Sequence, residues 1–188
     1  MIHKLAIIDD FLDSPDSIRK TIIETPMRDH KASDGVTYPG IVELSGDLKK
    51  YLANCFASMY QGVFQEQLMF ARHSYSSMDP PHWAHSDRNM CRYVGLIYLS
   101  PIDYPHDGTH LVMHRETSLE YHPQTESDRF KIMRDSNVRS KWDIVMTVPS
   151  RYNRLLVLDA ACLHASALSF GTNRINSRLV LSVFFDLL

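Results

Sequence analysis

The chain has 188 residues, 44% of them hydrophobic and 22% charged, which is typical of a globular protein of about one domain. With 20 Lys and Arg against 22 Asp and Glu the net charge is −2, so the basic surface that binds duplex nucleic acid is not expected. The three cysteines, Cys55, Cys91 and Cys162, form no C-x-x-C pair, which argues against a zinc ribbon or a disulfide framework. Short apolar runs and an N-terminus with only four consecutive apolar residues before two aspartates predict a cytoplasmic protein without a signal peptide or a membrane span.

The first third of the chain is predicted to be mainly helical, after a short buried strand over Leu5–Ile8. Ser14-Pro15-Asp16 predicts a helix start, because a hydroxyl N-cap, a first-turn proline and an acid near the positive dipole end all favour one. A second helix begins at 45–47, and its apolar residues recur with helical spacing, which indicates a face packed on the core. That stripe consists of Leu48, Tyr51, Leu52, Cys55, Phe56, Met59 and Tyr60.

After about residue 62 the pattern changes to apolar segments separated by Pro, Gly, Asn and Asp clusters, which predicts strands and turns. A third helix is expected over about 126–137. Helices followed by many strands indicate an α+β, mainly β protein with a sandwich or barrel. No repeat or flexible linker divides the chain, so we expect a single domain over 1–188, with a helical layer over about 1–62 and a β core over about 63–188. The predicted strands cover 63–75, 92–99, 110–114, 142–148, 154–159 and 178–186.

Ten histidines, seven of them between His73 and His122, raise the question of a metal site, because imidazole is the commonest metal ligand. In the segment His85-Ser86-Asp87 the outer two residues share one face of an extended chain, so both side chains can point at one atom. Two prolines at 80 and 81 disfavour a helix here. An imidazole and a carboxylate are two of the three ligands of the 2-His-1-carboxylate site that holds Fe(II).

The third ligand must come from a distant segment, and His164 is the candidate because it follows the apolar strand over 154–159. The alternative is a core histidine hydrogen-bonded to the backbone. Arg178 lies beyond a turn centred on Gly171, which predicts that it and His164 lie on neighbouring antiparallel strands. A buried arginine needs an anionic partner, and its planar fork suits a carboxylate. Ser182 would share its strand face, so the set predicts a metal site that binds a carboxylate co-substrate.

In these residues the chain resembles the 2-oxoglutarate- and Fe(II)-dependent oxygenases, in particular their prolyl-hydroxylase-like branch. The resemblance covers about 63–187. It rests on the order and spacing of five segments: His85-Ser86-Asp87, 93–100, Gly108-Thr109, 152–155 leading to His164, and 178–186. The chain departs from that pattern at Ser100, where the family usually has Asn, and at Gly108, which stands alone where the family often has two glycines.

The resemblance implies a double-stranded β-helix (jelly-roll) core with the N-terminal helices packed on it. It also implies Fe(II) as the metal and His85, Asp87 and His164 as its ligands, with no catalytic residue beyond the metal site. The implied activity is hydroxylation or a related oxidation of an unidentified small-molecule or peptidyl substrate, with succinate and CO2 as co-products. No sequence feature indicates the substrate or an oligomeric state.

The resemblance further implies where the co-substrate 2-oxoglutarate binds. Its distal carboxylate would be held by Arg178, Tyr98 and Ser182, and Tyr75 would lie near its oxoacid end. Arg174 is an alternative to Arg178, because the arginine lies farther from the distal histidine than in many members.

Two other function classes stay open. A cupin-like metal enzyme would use the same ligands without 2-oxoglutarate, and a non-catalytic jelly-roll binding module would need no complete ligand set. Other histidines have local alternatives: His82 could pair with His85 only on a helix, and His110 and His114 would share a strand face, which allows a second metal site. His106 would join these two on one face only in a helix.

Overall fold

A computed structural model describes residues 5–31, 35–60, 62–78, 82–101 and 107–188. In these ranges the helices are α1 (Pro15–Glu24), α2 (Gly46–Met59) and α3 (Glu126–Asp135), with a 3-10 turn over Arg139–Lys141. The strands are β1 (Leu5–Ile8), β2 (Met27–Lys31), β3 (Thr37–Glu43), β4 (Phe64–Ser74), β5 (Ala84–His85), β6 (Tyr93–Tyr98), β7 (Gly108–His114), β8 (Trp142–Pro149), β9 (Arg154–Asp159), β10 (His164–Ser166) and β11 (Arg178–Leu187). The expected class, α+β and mainly β, is confirmed. Pro80, Pro81 and His106 lie outside the described residues.

The strands form two antiparallel sheets that pack on each other. The larger has the order β1-β9-β6-β11-β4-β3-β2 and the smaller β5-β10-β7-β8. A cluster of buried apolar side chains between them draws on both sheets, with Tyr98 and Val180 from the larger and Leu111 and Val148 from the smaller. The space between the sheets is therefore a core, and any side chain directed into it is largely shielded from water.

Strand β11 separates this core from a second one beneath the helices. Leu179, Leu181 and Val183 pack in the cluster that also holds Leu52 and Phe56 of α2. Val180 and Phe184 pack between the sheets instead, as the alternation of side chains along a strand requires. By the same alternation Arg178 and Ser182 share the face of Val180. The predicted division of this strand is confirmed.

The three predicted helices are present, and two have side-chain caps. Ser45 accepts a hydrogen bond from the Leu48 amide at 3.3 Å, and Thr125 accepts one from the Asp128 amide at 3.1 Å. Such caps satisfy amides that the first helical turn leaves unpaired. Among the described helices none is long and apolar enough to cross a membrane.

Two features differ from the sequence expectations. The segment expected to be a helical layer also contributes β2 and β3 to the large sheet, because β2 is a polar edge strand and β3 is interrupted by Pro39 and Gly40, so neither shows an apolar strand pattern. The prediction that His164 and Arg178 lie on neighbouring strands is wrong: β10 belongs to the small sheet and β11 to the large one. The connection between them turns at Gly171, whose φ of 75° suits glycine, and crosses from one sheet to the other.

Candidate metal centre

Two short strands of the small sheet bring the predicted ligands together. Strands β5 and β10 pair antiparallel with His85 directly opposite His164, and the two ring centroids are 4.5 Å apart. Asp87 follows two residues later, and its amide donates to the Ala160 carbonyl at 2.9 Å, which holds the chain beside the end of β9. One ligand atom from each of the three side chains lies within 4.8 Å of the others. Residues far apart in the chain thus form one compact donor set.

The carboxylate of Asp87 faces both imidazoles. Its Oδ1 is 3.7 Å from Nε2 of His85 and its Oδ2 is 3.4 Å from Nε2 of His164. On the far side of its ring, Nδ1 of His164 donates to the Cys162 carbonyl at 3.1 Å. Because a carbonyl can only accept, this bond places a ring proton on Nδ1, so Nε2 is the nitrogen that faces Asp87 and would meet a metal.

Burial and mutual charge set the protonation of the three groups. Loss of hydration inside the protein, and then the charge of the neighbouring His164, lower the pKa of the His85 imidazole to about 4. Burial opposes ionisation of Asp87, but the His85 charge and the His164 hydrogen bond outweigh it and lower the pKa of the carboxyl. Burial also opposes a charge on His164, yet the bond to Asp87 raises the pKa of this imidazole. At neutral pH the site therefore offers a neutral His85 and an ionised Asp87.

The donor set fits a divalent transition metal. Two imidazoles and one carboxylate on one side of a site form the 2-His-1-carboxylate arrangement that binds Fe(II) and leaves positions for other ligands. Nδ1 of His85 is buried without a hydrogen-bond partner in the part of the chain that the structure describes, which is expected where an ion or water completes a site. His164 is buried, whereas His85 and Asp87 are half-buried, so the site opens toward solvent on their side.

The arginine expected to bind a co-substrate carboxylate already holds a carboxylate of the protein. Arg178 is buried, and its Nε donates to Oδ1 of Asp107 at 2.7 Å while its Nη2 donates to the Gly108 carbonyl at 3.1 Å. Asp107 is a residue that the sequence analysis missed. The available signal was its position directly before the lone Gly108, where the resembled family often has another glycine.

The other predicted co-substrate residues lie in three places. The Tyr98 hydroxyl shares a hydrogen bond of 2.7 Å with the Thr109 hydroxyl, and burial raises the pKa of Tyr98 to about 12, so it is a neutral phenol. Ser182 is buried on the inward face of β11. Tyr75 donates to the sulfur of Met27 in β2 at 3.3 Å. The alternative arginine, Arg174, donates to the Thr25 carbonyl at the end of α1.

The remaining histidines make local hydrogen bonds. Nδ1 of His82 is 3.2 Å from the Ser136 hydroxyl, and Nδ1 of His110 is 2.9 Å from the Thr147 hydroxyl. His114 is fully buried with both ring nitrogens bonded, one of them to Asp135. No second group of three metal-binding side chains occurs in the described residues, so a second metal site at His110 and His114 gains no support.

Several solved structures have a similar fold. HygX from Streptomyces hygroscopicus, solved with nickel and 2-oxoglutarate bound, is 17% identical over 97% of this chain and 82% of that chain, with a TM-score of 0.63. The epimerase SnoN, solved with Fe3+, alpha-ketoglutarate and nogalamycin RO, is 13% identical over 97% and 78%, with a TM-score of 0.56. A prolyl hydroxylase from Trichoplax adhaerens, solved with a peptide fragment, is 13% identical over 96% and 82%, with a TM-score of 0.53. Identities this low establish a shared fold alone.

Sequence comparisons are less specific about function. Among curated proteins no match to the chain was found. A family model described as "Family of unknown function (DUF6445)" matches residues 2–185.

Proposed function

Because the chain belongs to the DUF6445 family, whose function is unknown, we propose a function from its site: an Fe(II)- and 2-oxoglutarate-dependent dioxygenase. The observation that carries this proposal is the meeting of His85, Asp87 and His164, which come from distant segments and lie within 4.8 Å of one another. Support comes from the fold shared with HygX and SnoN, which were solved with metal and the 2-oxo acid bound. We also propose that the two sheets form a double-stranded β-helix and that residues 1–188 are one domain.

In this proposal the three side chains hold the metal and set its surroundings. The Cys162 carbonyl keeps the His164 ring in the tautomer that presents Nε2, and Asp87 remains ionised between the two imidazoles. Fe(II) held by these residues would supply the redox chemistry by which O2 oxidises a substrate while 2-oxoglutarate becomes succinate and CO2. The side chains between the two sheets exclude water from one side of the triad.

The co-substrate is proposed to extend from the metal toward β11. Arg178 and Ser182 on the inward face of this strand, and Tyr98 opposite Val180, would meet its distal carboxylate. Tyr98 is a suitable donor because it stays protonated at neutral pH. Tyr75 keeps its proposed place near the oxoacid end. The substrate itself would enter from the half-buried side of His85 and Asp87, and a small molecule or a peptide is the proposed class. That class is supported by HygX and the prolyl hydroxylase, which were solved with hygromycin B and with a peptide.

A direct test is the visible charge-transfer band that a 2-oxo acid gives when it chelates Fe(II) without oxygen. We expect the band when 2-oxoglutarate is added to the Fe(II)-loaded wild-type protein, and its loss in His164→Ala. The matched control is His110→Ala, a half-buried histidine of the small sheet that bonds Thr147 and should keep the band. A wild-type protein that binds Fe(II) and gives no band would contradict the proposal.

One observation favours a second candidate, a metal enzyme that does not use 2-oxoglutarate. Arg178 is already paired with Asp107, so the cation that the co-substrate needs is not free. Metal binding without the band would support this candidate. Failure of the wild-type protein to bind Fe(II) or Ni(II) would instead favour a non-catalytic binding module.

A further inference from the structure

Arg178 and Asp107 form an ion pair buried between the sheets. Their side chains are 8% and 1% exposed, and the Nε–Oδ1 distance is 2.7 Å. Burial of one such charge alone is very costly, so each residue requires the other unless a ligand replaces it. The pair joins the start of β11, where the distal carboxylate of 2-oxoglutarate is proposed to bind, to the residue directly before β7.

The pairing is incomplete on the carboxylate side. Oδ1 of Asp107 also accepts from the Gly108 amide at 2.6 Å, so one oxygen receives two donors. Oδ2 is buried and has no hydrogen-bond partner among the residues that the structure describes. A guanidinium and a carboxylate that fit each other form two parallel bonds, and here only one forms. Asp107 therefore pairs with Arg178 through one oxygen and leaves its other oxygen without a partner among the described residues.

We propose that Asp107 is a specificity-determining residue for the co-substrate: its carboxylate occupies Arg178, and 2-oxoglutarate gains this arginine only by displacing it. The inference rests on the proposed function. The exchange replaces one charge-assisted bond by another, so the distal carboxylate of 2-oxoglutarate adds little net affinity. If both carboxylates stayed, two like charges would crowd one guanidinium, which disfavours ionisation of either.

The consequence concerns the choice between oxo acids. An acid of equal length without the distal carboxylate, 2-oxopentanoate, leaves the Arg178–Asp107 pair intact and makes the same chelate at the metal. The wild-type protein is therefore expected to bind 2-oxoglutarate and 2-oxopentanoate with similar affinity. Asp107→Asn removes the competing charge while it keeps the shape and an acceptor for the Gly108 amide, and the arginine then becomes available to the dicarboxylate.

The experiment measures the dissociation constants of both acids for the Ni(II)-loaded protein by isothermal titration calorimetry. Wild type should bind the two acids within about threefold of each other. Asp107→Asn should prefer 2-oxoglutarate by roughly 10- to 100-fold, the effect of one hydrogen bond to a charged group. The matched control is Asp143→Asn, which removes an exposed Asp paired with Arg115 and should leave the wild-type ratio unchanged.

The outcomes separate this inference from the proposed function. If the wild-type protein binds 2-oxoglutarate tenfold or more tightly than 2-oxopentanoate, the inference about Asp107 is overturned and the proposed function is supported. This measurement uses the wild-type protein alone, so it does not depend on the folding of a variant. A ratio that Asp107→Asn leaves unchanged or reverses also overturns the inference, because Asp107 would then only orient the arginine. If Ni(II) binds and neither acid binds in wild type or variant, both the inference and the proposed function fail.

Discussion

Two regions of this molecule bring histidine and aspartate together, the pair of His114 and Asp135 and the triad of His85, Asp87 and His164, and they differ in how many of their polar atoms have hydrogen-bond partners. His114 and Asp135 lie 3.1 Å apart, and the other ring nitrogen of His114 bonds the Thr117 hydroxyl. Asp135 also receives two bonds of 2.7 Å from Arg134, so every polar atom of this pair has a partner. In the triad, Asp87 faces two imidazoles at 3.4 and 3.7 Å, and no arginine or lysine forms an ion pair with it among the described residues.

The difference shows that histidine and aspartate in contact do not by themselves identify a metal site. A structural pair satisfies its donors and acceptors internally, since an unmet buried polar group costs free energy. In the triad, by contrast, Nδ1 of His85 is buried without a hydrogen-bond partner among the described residues, as expected of a group beside a site for an ion or water. The comparison predicts opposite consequences for similar substitutions in the two regions.

The largest expected effect is on metal binding. His164→Ala should lower the Ni(II) affinity by more than about 100-fold, because even residues that merely support a ligand change metal affinity by 10- to 100-fold. Competition with a chromophoric chelator measures it. His114→Ala should leave the affinity within about twofold. Equal losses in the two variants would show that the pairs do not differ in the way their hydrogen bonds indicate.

The next effect is on stability and has the opposite pattern. His114→Ala removes a fully buried ring and leaves a buried cavity beside Trp142, whose ring centroid is 4.8 Å away. We expect a loss of about 3 kcal/mol in the free energy of unfolding, as for large-to-small changes in cores. Urea denaturation of the metal-free protein at neutral pH measures it. His164→Ala should cost less in the same assay, since it also removes a buried imidazole whose charge opposes that of the neighbouring His85. A larger loss there would refute the structural role given to His114.

A smaller effect concerns acid stability. The bidentate bond from Arg134, with help from His114, holds the pKa of Asp135 well below its ordinary value. A lowered pKa in the folded state stabilises the protein above the unfolded pKa of about 3.9, and this contribution is lost as the pH falls below it. Between pH 6 and pH 3 the wild type should therefore lose more stability than Asp135→Asn does. Parallel urea curves at the two pH values test this, and equal losses would exclude the Arg134–Asp135 pair as a source of acid sensitivity.

Sequence reasoning could find the triad because its signals are local. His85 and Asp87 are two apart in an extended segment, so strand periodicity directs both side chains to one point. His164 was a candidate because it follows an apolar strand, and the family resemblance joined the three as one ligand set. The pair of His114 and Asp135 has no such signal, since it joins a strand to a helix 21 residues away. Asp107 and Arg178 are 71 residues apart, and the position of Asp107 directly before Gly108 does not indicate its partner.

The same limit applies to the fold. Strand β11 was predictable with both its faces, because its first eight residues are buried and alternate between two cores. Strands β2 and β3 were not, because β2 is a polar edge strand and Pro39 and Gly40 interrupt β3 before its buried apolar residues. The crossing from β10 to β11 was also missed, since a glycine turn is compatible with a hairpin and with a change of sheet.

The smallest predicted effect is that of His110→Ala, a substitution of a histidine that lies outside both the triad and the His114–Asp135 pair. Its Nδ1 shares one hydrogen bond with Thr147 at 2.9 Å, it is half-buried, and no carboxylate forms an ion pair with it in the described chain. His110→Ala should change the free energy of unfolding by about 0.5 kcal/mol, as exposed hydrogen bonds usually do, and should leave Ni(II) affinity unchanged. Urea denaturation and chelator competition on one sample measure both quantities. A tenfold loss of Ni(II) affinity in His110→Ala would contradict this prediction and indicate that His110 belongs to the metal centre. The expected result separates three kinds of histidine by what surrounds them: a proposed metal ligand that faces Asp87, a core residue with both ring nitrogens bonded, and a half-buried residue with one hydrogen bond to a hydroxyl.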